Sequence, residues 1–156
     1  MFKDAILVGT IAGLATNLLK NSLAWIWCRL HLLDYFTSDF AASLFIKPNA
    51  IQTLSGQIIG LAADFIVSAI LGISFVYLIK YSGQRFLLIK GLVYGAVVWL
   101  LLYGGVRSLP MVRLHDYNPL HIVIALINHL IFGLILSFII KLLLGKPSAN
   151  NLDHDD

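Results

Sequence analysis

Cysteine is nearly missing from this chain. A single residue, Cys28, excludes an internal disulfide and any Cys-x-x-Cys redox pair, and with them a thiol-oxidising helical enzyme. Charge is almost as scarce: 12% of the 156 residues are Asp, Glu, Lys or Arg, against 59% hydrophobic, well outside the range of soluble globular domains. The few cations are dispersed, and none of them forms a basic cluster interleaved with aromatics. The net charge of +3 therefore does not describe a nucleic-acid surface, and no nucleic-acid partner is expected. A Gly-rich phosphate loop, a Ser-His-Asp signature and a paired-carboxylate motif are also absent from the sequence, which leaves catalysis with little support.

What the chain does have is four long apolar runs, at about 5–30, 50–79, 86–106 and 119–144. Each can cross the roughly 30 Å of hydrocarbon in a bilayer. The connections between them are too short to hold a soluble domain. The expected fold is all-α: a polytopic membrane protein, built as a four-transmembrane-helix bundle over 1–147, with 148–156 as a disordered polar tail. The Met1-Phe2-Lys3-Asp4 start resembles the front of a signal peptide, but the apolar run continues without a small-residue cleavage site, so it is read as a transmembrane helix. Lys3, Lys80, Arg85, Lys90, Lys141 and Lys146 would share one side of the membrane, opposite Arg29, Lys47, Arg107 and Arg113. The positive-inside rule then predicts a multi-pass protein with both termini in the cytoplasm.

Three of the four runs carry a stripe of small and polar residues at four-residue steps. In the second run the stripe is Gln52, Gly56, Gly60, Asp64, Ser68 and Gly72. The first has Gly9, Gly13, Asn17 and Asn21, with Lys20 alongside; the fourth has His121, Ala125, His129, Gly133 and Ser137, with Asn128 next to His129. Small residues at this spacing let two backbones approach closely, so the first and second helices are expected to pack stripe to stripe. The third run, with Gly91, Gly95, Trp99 and Tyr103 four apart and no ionisable group at its centre, reads as structural.

A carboxylate deep in a bilayer is costly unless it is paired, protonated or wetted, so Asp64 needs a partner. If the helices alternate in direction, Asn17, Lys20, Asp64, Asn128 and His129 fall in one slab near the bilayer centre. They form the candidate ligand- or ion-binding cluster. Plain packing is the competing reading, because Asn and His often hydrogen-bond between membrane helices for about 1 kcal/mol each. Lys20 has two options of its own, snorkelling towards the surface or pairing inside the bundle.

Elsewhere, Trp25 and Trp27 with Arg29 and His31 read as an interfacial anchor. The stretch from Leu32 to Lys47 predicts a short interfacial helix after the first span. Ser38 would cap it, and Phe40, Leu44 and Phe45 would form its apolar face; a lid over the bundle mouth is the alternative. Asn49, after Lys47-Pro48, is the expected cap of the second long helix. The cations between Lys80 and Lys90 are expected to meet anionic headgroups. No cofactor is expected. Haem would need His31 and His121 on facing helices, and zinc would draw on His115, Asp116 and His121, but no ligand spacing fixes either set on one face.

Asn128-His129-Leu130-Ile131-Phe132-Gly133 in the last run, and Gly9-Thr10-Ile11-Ala12-Gly13 before Asn17 in the first, resemble features of small bacterial inner-membrane proteins of the YagU and YqhR kind. The resemblance covers about two of the four helices. It implies a bacterial plasma-membrane location and a four-helix fold, and no activity. Two functional readings follow from the residues: proton- or ion-coupled transport or small-ligand binding at the Asp64 cluster, or a non-catalytic scaffold or partner subunit. A lone four-helix unit can hardly enclose a hydrated pathway, so the expected partners are the lipid bilayer and a second copy or another membrane protein.

Overall fold

The computed structural model describes residues 4–109, 112 and 118–144, and every regular element in them is helical. Helix α1 (Ala5–Arg29) starts where Asp4 Oδ1 accepts the Leu7 amide at 3.1 Å. It stops in a pair of backbone bonds, His31 N to Cys28 O at 3.1 Å and Leu32 N to Trp27 O at 3.0 Å. This is a Schellman closure, with His31 in the left-handed region at φ 56°. His31 is exposed there, and it serves to end the helix.

The second long helix, α4 (Leu54–Ser82), begins four residues later than the sequence pattern predicts. Pro48 opens a separate turn, α3 (Pro48–Ile51), with Lys47 rather than Asn49 at its N-cap. Thr53 then caps α4: its Oγ1 accepts from Gly56 N at 3.2 Å while its carbonyl accepts from Gln57 N at 2.9 Å. Asn49 could not cap α4, because a proline-started turn intervenes and its helical bonds end at Gln52.

Helix α4 ends at Gly83, φ 76°, where a side chain would be strained. Lys90 Nζ, expected to meet headgroups, instead donates to Ser82 O at 2.7 Å, Ser82 Oγ at 3.0 Å and Gly83 O at 2.8 Å. A cation there satisfies carbonyls that a helix end leaves open. Lys80 and Arg85 lie by the Tyr77 and Phe86 rings. Helix α5 (Leu87–Trp99) runs on into π-helical turns at Leu100–Gly105 and a 3₁₀ turn at Val106–Ser108, so the third span is Leu87–Ser108. Helix α6 (Pro119–Leu144) is the fourth.

The long helices pack antiparallel in two tight pairs, and glycine decides both. In the α1–α4 pair, a Cβ on Gly72 would meet the Gly9 carbonyl and the Gly13 backbone, and one on Gly13 would meet Ser68 O. In the α5–α6 pair, Gly91 and Gly133 face each other's carbonyls and Gly95 faces His129 O. The first and second helices thus pack stripe to stripe as expected, and α5 and α6 pack in the same way. α1 also packs against α6, which joins the pairs into one bundle.

The interior is divided lengthwise. Towards the α4–α5 turn it is apolar, with Ala12, Phe75, Val76, Ile79, Leu87, Phe132, Leu136 and Ile140 in one cluster. Towards the other end, the buried groups include Thr16, Asn17, Lys20, Asp64, Ser68, Asn128 and His129. Large aliphatic side chains such as Ile66, Ile70, Val93 and Leu142 coat the outside, as a bilayer solvent requires. Four helices are long and apolar enough to span, and the chain is a multi-pass membrane protein.

The short helix after the first span exists as α2 (Thr37–Ser43), but its setting differs from a helix floating in the interface. Its backbone sits directly on α4, where a Cβ on Gly60 would strike Ser38 O. Phe40 stacks on Tyr103 at 5.9 Å and 9°, and Asp39, Ala42 and Ser43 are buried, while Phe45 lies beyond the helix and 63% exposed. The cap comes from Asp39, not Ser38: Phe36 N donates to Asp39 Oδ2 at 3.1 Å. Ser38 is already inside the helix with its carbonyl against α4, too late to cap. Thus α2 packs along α4, and its Thr37 lines the cavity beside Asp64.

Replacing Gly133 by Ala forces the α5–α6 backbones apart and should cost about 1–3 kcal/mol. Gly105→Ala, where the added methyl meets nothing within 4 Å, should be close to neutral; unfolding of both variants in one detergent checks the contrast.

Candidate functional site

Asp64 lies about ten residues into α4, roughly 15 Å along the helix from its start, at the level of Asn17 to Asn21 on α1. The small-residue stripes place the two backbones close enough for short side chains to meet. Lys20 Nζ lies 2.9 Å from Asp64 Oδ1 and 3.3 Å from Oδ2. Asn17 Nδ2 and Asn21 Nδ2 both donate to Oδ2, at 2.9 and 3.0 Å. Asp64 is 5% exposed and Lys20 4% exposed, so both charges are taken out of solvent and neutralise each other. Lys20 therefore takes the pairing option, not the snorkelling one. Asn21, expected only as part of a packing stripe, is a third donor to the carboxylate.

His129 reaches the same place from α6. Its Nδ1 stands 2.7 Å from Ala125 O. A carbonyl can only accept, so Nδ1 carries the proton and, in the neutral ring, Nε2 is an acceptor. His129 does not hydrogen-bond Asp64. The two line one cavity of about 20 Å³, together with Lys20, Ser68, Thr37 from α2 and Leu102 from the π-helical turns. That volume admits about one water molecule, with polar side chains on one side and Val67, Leu71, Leu102 and Phe132 on the rest of the wall. Two of the three Lys20 protons face Asp64, and the remaining one, Ser68 Oγ, Thr37 Oγ1 and His129 Nε2 are the groups left to serve the cavity.

Five elements therefore build the site, α1, α2, α4, α6 and the π-helical turns, where the sequence pattern pointed to three. The addition from the third span is Tyr103, whose ring meets His129 edge-on at 5.9 Å and 80°, and continues through Phe40 and Trp99 as an aromatic roof. The third span, which reads as structural, thus adds a ring contact to His129. A π-helical turn adds a residue to the helical repeat and re-aims side chains, which periodicity at 3.6 residues cannot foresee. Thr37 was invisible for another reason, since a 20-residue connection does not reveal which of its residues folds back.

Asn128 is separate from this cluster. Its Oδ1 accepts from Trp27 Nε1 at 2.9 Å, tying α1 to α6. Trp27 is thereby corrected from interfacial anchor to inter-helix tie, because an indole N–H within the bundle needs an acceptor and Asn128 supplies one. Trp25 is 52% exposed, with the Arg29 guanidinium 4.8 Å above its ring, and fits the anchor role. Among the metal and haem candidates, His121 Nε2 lies 3.7 Å from Asp34 and 3.3 Å from Asn118 Nδ2. His115 and Asp116 lie outside the described residues, as do Lys3, Arg113, Lys146, the helix stop at Gly145 and Pro147, and the 148–156 tail. Among the described residues, no group of three His, Cys, Asp or Glu side chains is close enough to share a metal ion.

Family models, curated proteins and solved structures were compared with the chain, and none matches, so the site is read from its own chemistry.

Removing one member of the buried pair leaves the other charge without compensation, a loss of about 3–5 kcal/mol. Asp64→Asn should therefore lower the detergent melting temperature strongly, whereas Lys20→Met combined with Asp64→Leu should recover most of the loss; additive losses in that double-mutant cycle would show that the pair does not carry the coupling.

Proposed function

We propose that this protein handles a proton or a small polar ligand within the membrane, using Lys20, Asp64 and His129, and so belongs with small proton- or ion-coupled transport or binding proteins of the bacterial plasma membrane. One observation carries the reading: an imidazole and a compensated ammonium–carboxylate pair border the same single-water cavity. A water held between Lys20 Nζ and the His129 Nε2 acceptor could relay a proton between the two side chains. A second observation supports it. Asn17 is fully buried, yet its Oδ1 has no hydrogen-bond partner, an arrangement that costs about 1–3 kcal/mol. A network selected only to hold helices together would be expected to satisfy that atom.

In this reading the α4–α5 turn, with Lys80, Arg85 and Lys90, faces the cytoplasm together with both termini, in keeping with the positive-inside rule. Transport would require a second copy or a partner subunit, because α2 and the Phe40–Tyr103–His129 contacts close one end of the bundle and the apolar cluster fills the other. The YagU and YqhR resemblance is part of the same proposal and adds only the location.

The scaffold reading keeps one specific observation in its favour: Asp64 already receives contacts from three side chains. Reconstitution separates the two. In liposomes loaded with a pH-sensitive dye, the wild type should dissipate an imposed pH gradient faster than empty vesicles. His129→Phe, which fills the cavity and retains an aromatic neighbour for Tyr103, should lose that flux while remaining folded. Wild-type flux equal to that of empty vesicles would favour the scaffold.

A further inference from the structure

A second carboxylate, Asp39 on α2, is as deeply buried as Asp64 but lacks its compensation. It is 4% exposed. Its two hydrogen bonds, from Phe36 N at 3.1 Å and Gln52 Nε2 at 3.3 Å, both end on Oδ2. Among the described residues Oδ1 receives no donor and no cation lies within ion-pair distance of Asp39, and Oδ1 is not one of the fully enclosed unpartnered atoms, so it keeps some accessible surface. The cations that might have served are committed elsewhere: Lys20 to Asp64, and Arg29 to the face of Trp25. A buried carboxylate held only by neutral donors is expensive, and the N-terminal position in a short helix accounts for one oxygen alone.

Asp39 also lines a groove of about 250 Å³ between α1, α2 and α4, with Trp25, Phe36, Asn21, Gln57 and Leu61. Trp25 and Leu61 belong to the exposed surface of the bundle, at 52% and 44%, so the groove opens sideways towards lipid. One unsatisfied carboxylate oxygen, two aromatic rings and an apolar wall define a ligand class. A small inorganic cation wants several oxygen ligands, and here only one charged oxygen is offered. An ammonium carried on a hydrocarbon chain matches these features: its charge can meet Asp39, the Trp25 and Phe36 side chains flank it, and Leu61 receives the chain.

We propose that this groove binds an organic ammonium cation entering laterally from the membrane, with Asp39 as its counter-charge. The site is distinct from the Lys20–Asp64 cluster and does not depend on proton handling there, although Asn21 borders both. The cation can come from two sources, a membrane-partitioned alkylamine or the headgroup of an aminophospholipid, and the chemistry of recognition is the same.

The test uses full-length protein in phosphatidylcholine nanodiscs, with hexylammonium chloride as probe and hexanol as the neutral control of equal chain length. Hexylammonium should bind saturably, read by calorimetry, and hexanol should not. Asp39→Asn keeps the acceptor for Phe36 N–H and should weaken binding roughly ten-fold or more, as loss of a charge-assisted contact does. If that variant fails to fold, Trp25→Ala, at an exposed position, should still weaken binding several-fold. Adding phosphatidylethanolamine to the discs decides the source: competition assigns the site to a lipid headgroup, and undiminished hexylammonium binding assigns it to a free amine. Equal responses to hexylammonium and hexanol, or unchanged binding in whichever variant folds, would overturn the proposal.

Discussion

The Lys20–Asp64 pair is the interaction on which the rest of this bundle depends. Two opposite charges deep within a low-dielectric interior are tolerable only in contact. Contact requires the α1 and α4 backbones to approach within the reach of a short Asp side chain. Gly9, Gly13 and Gly72 provide that approach, because any Cβ there would collide with the facing backbone. The ion pair and the glycine stripe are thus one device: the glycines supply the distance, and the charges fix register. A slip by one helical turn would leave both ions buried and alone.

The second helix pair repeats the packing with different chemistry. Gly91, Gly95 and Gly133 bring α5 against α6, and the group presented at cluster depth is a histidine whose Nδ1 is held by its own helix. The imidazole, fixed in one tautomer, stands beside the neutralised pair with room for about one water at the cavity they share. The lengthwise division of the interior sharpens the contrast: the half near the α4–α5 turn is sealed by Phe75, Phe132, Leu136 and Ile140, and all the ionisable interior groups occupy the half covered by α2.

That cover is the least orthodox part of the fold. A seven-residue helix sits on Gly60 with its backbone, inserts Thr37 at the cavity and Phe40 against Tyr103, and retains a carboxylate of its own. Both carboxylates, Asp64 and Asp39, stand where α4 meets another element through glycine. Close backbone approach buries whatever polar group lies next to it; Lys20 compensates Asp64, and among the described residues no cation pairs with Asp39.

Much of this was legible in the residues. Composition and run length dictate four membrane helices, because only a helix satisfies its own backbone in lipid. Period-four stripes dictate which faces meet, because small residues are the only ones that admit such contact. The expense of a buried carboxylate requires a partner for Asp64, and depth alone nominates Lys20 and Asn17. What the linear pattern could not carry was anything set by a departure from regular helix or by contact between distant segments. The π-helical turns that aim Tyr103 at His129, the fold-back of α2 that delivers Thr37 and buries Asp39, and the diversion of Asn128 to Trp27 all depend on side-chain directions in space. Periodicity reports the face of an ideal helix. Only the packed structure decides where a loop returns and which of two neighbouring polar residues is turned inward to the site.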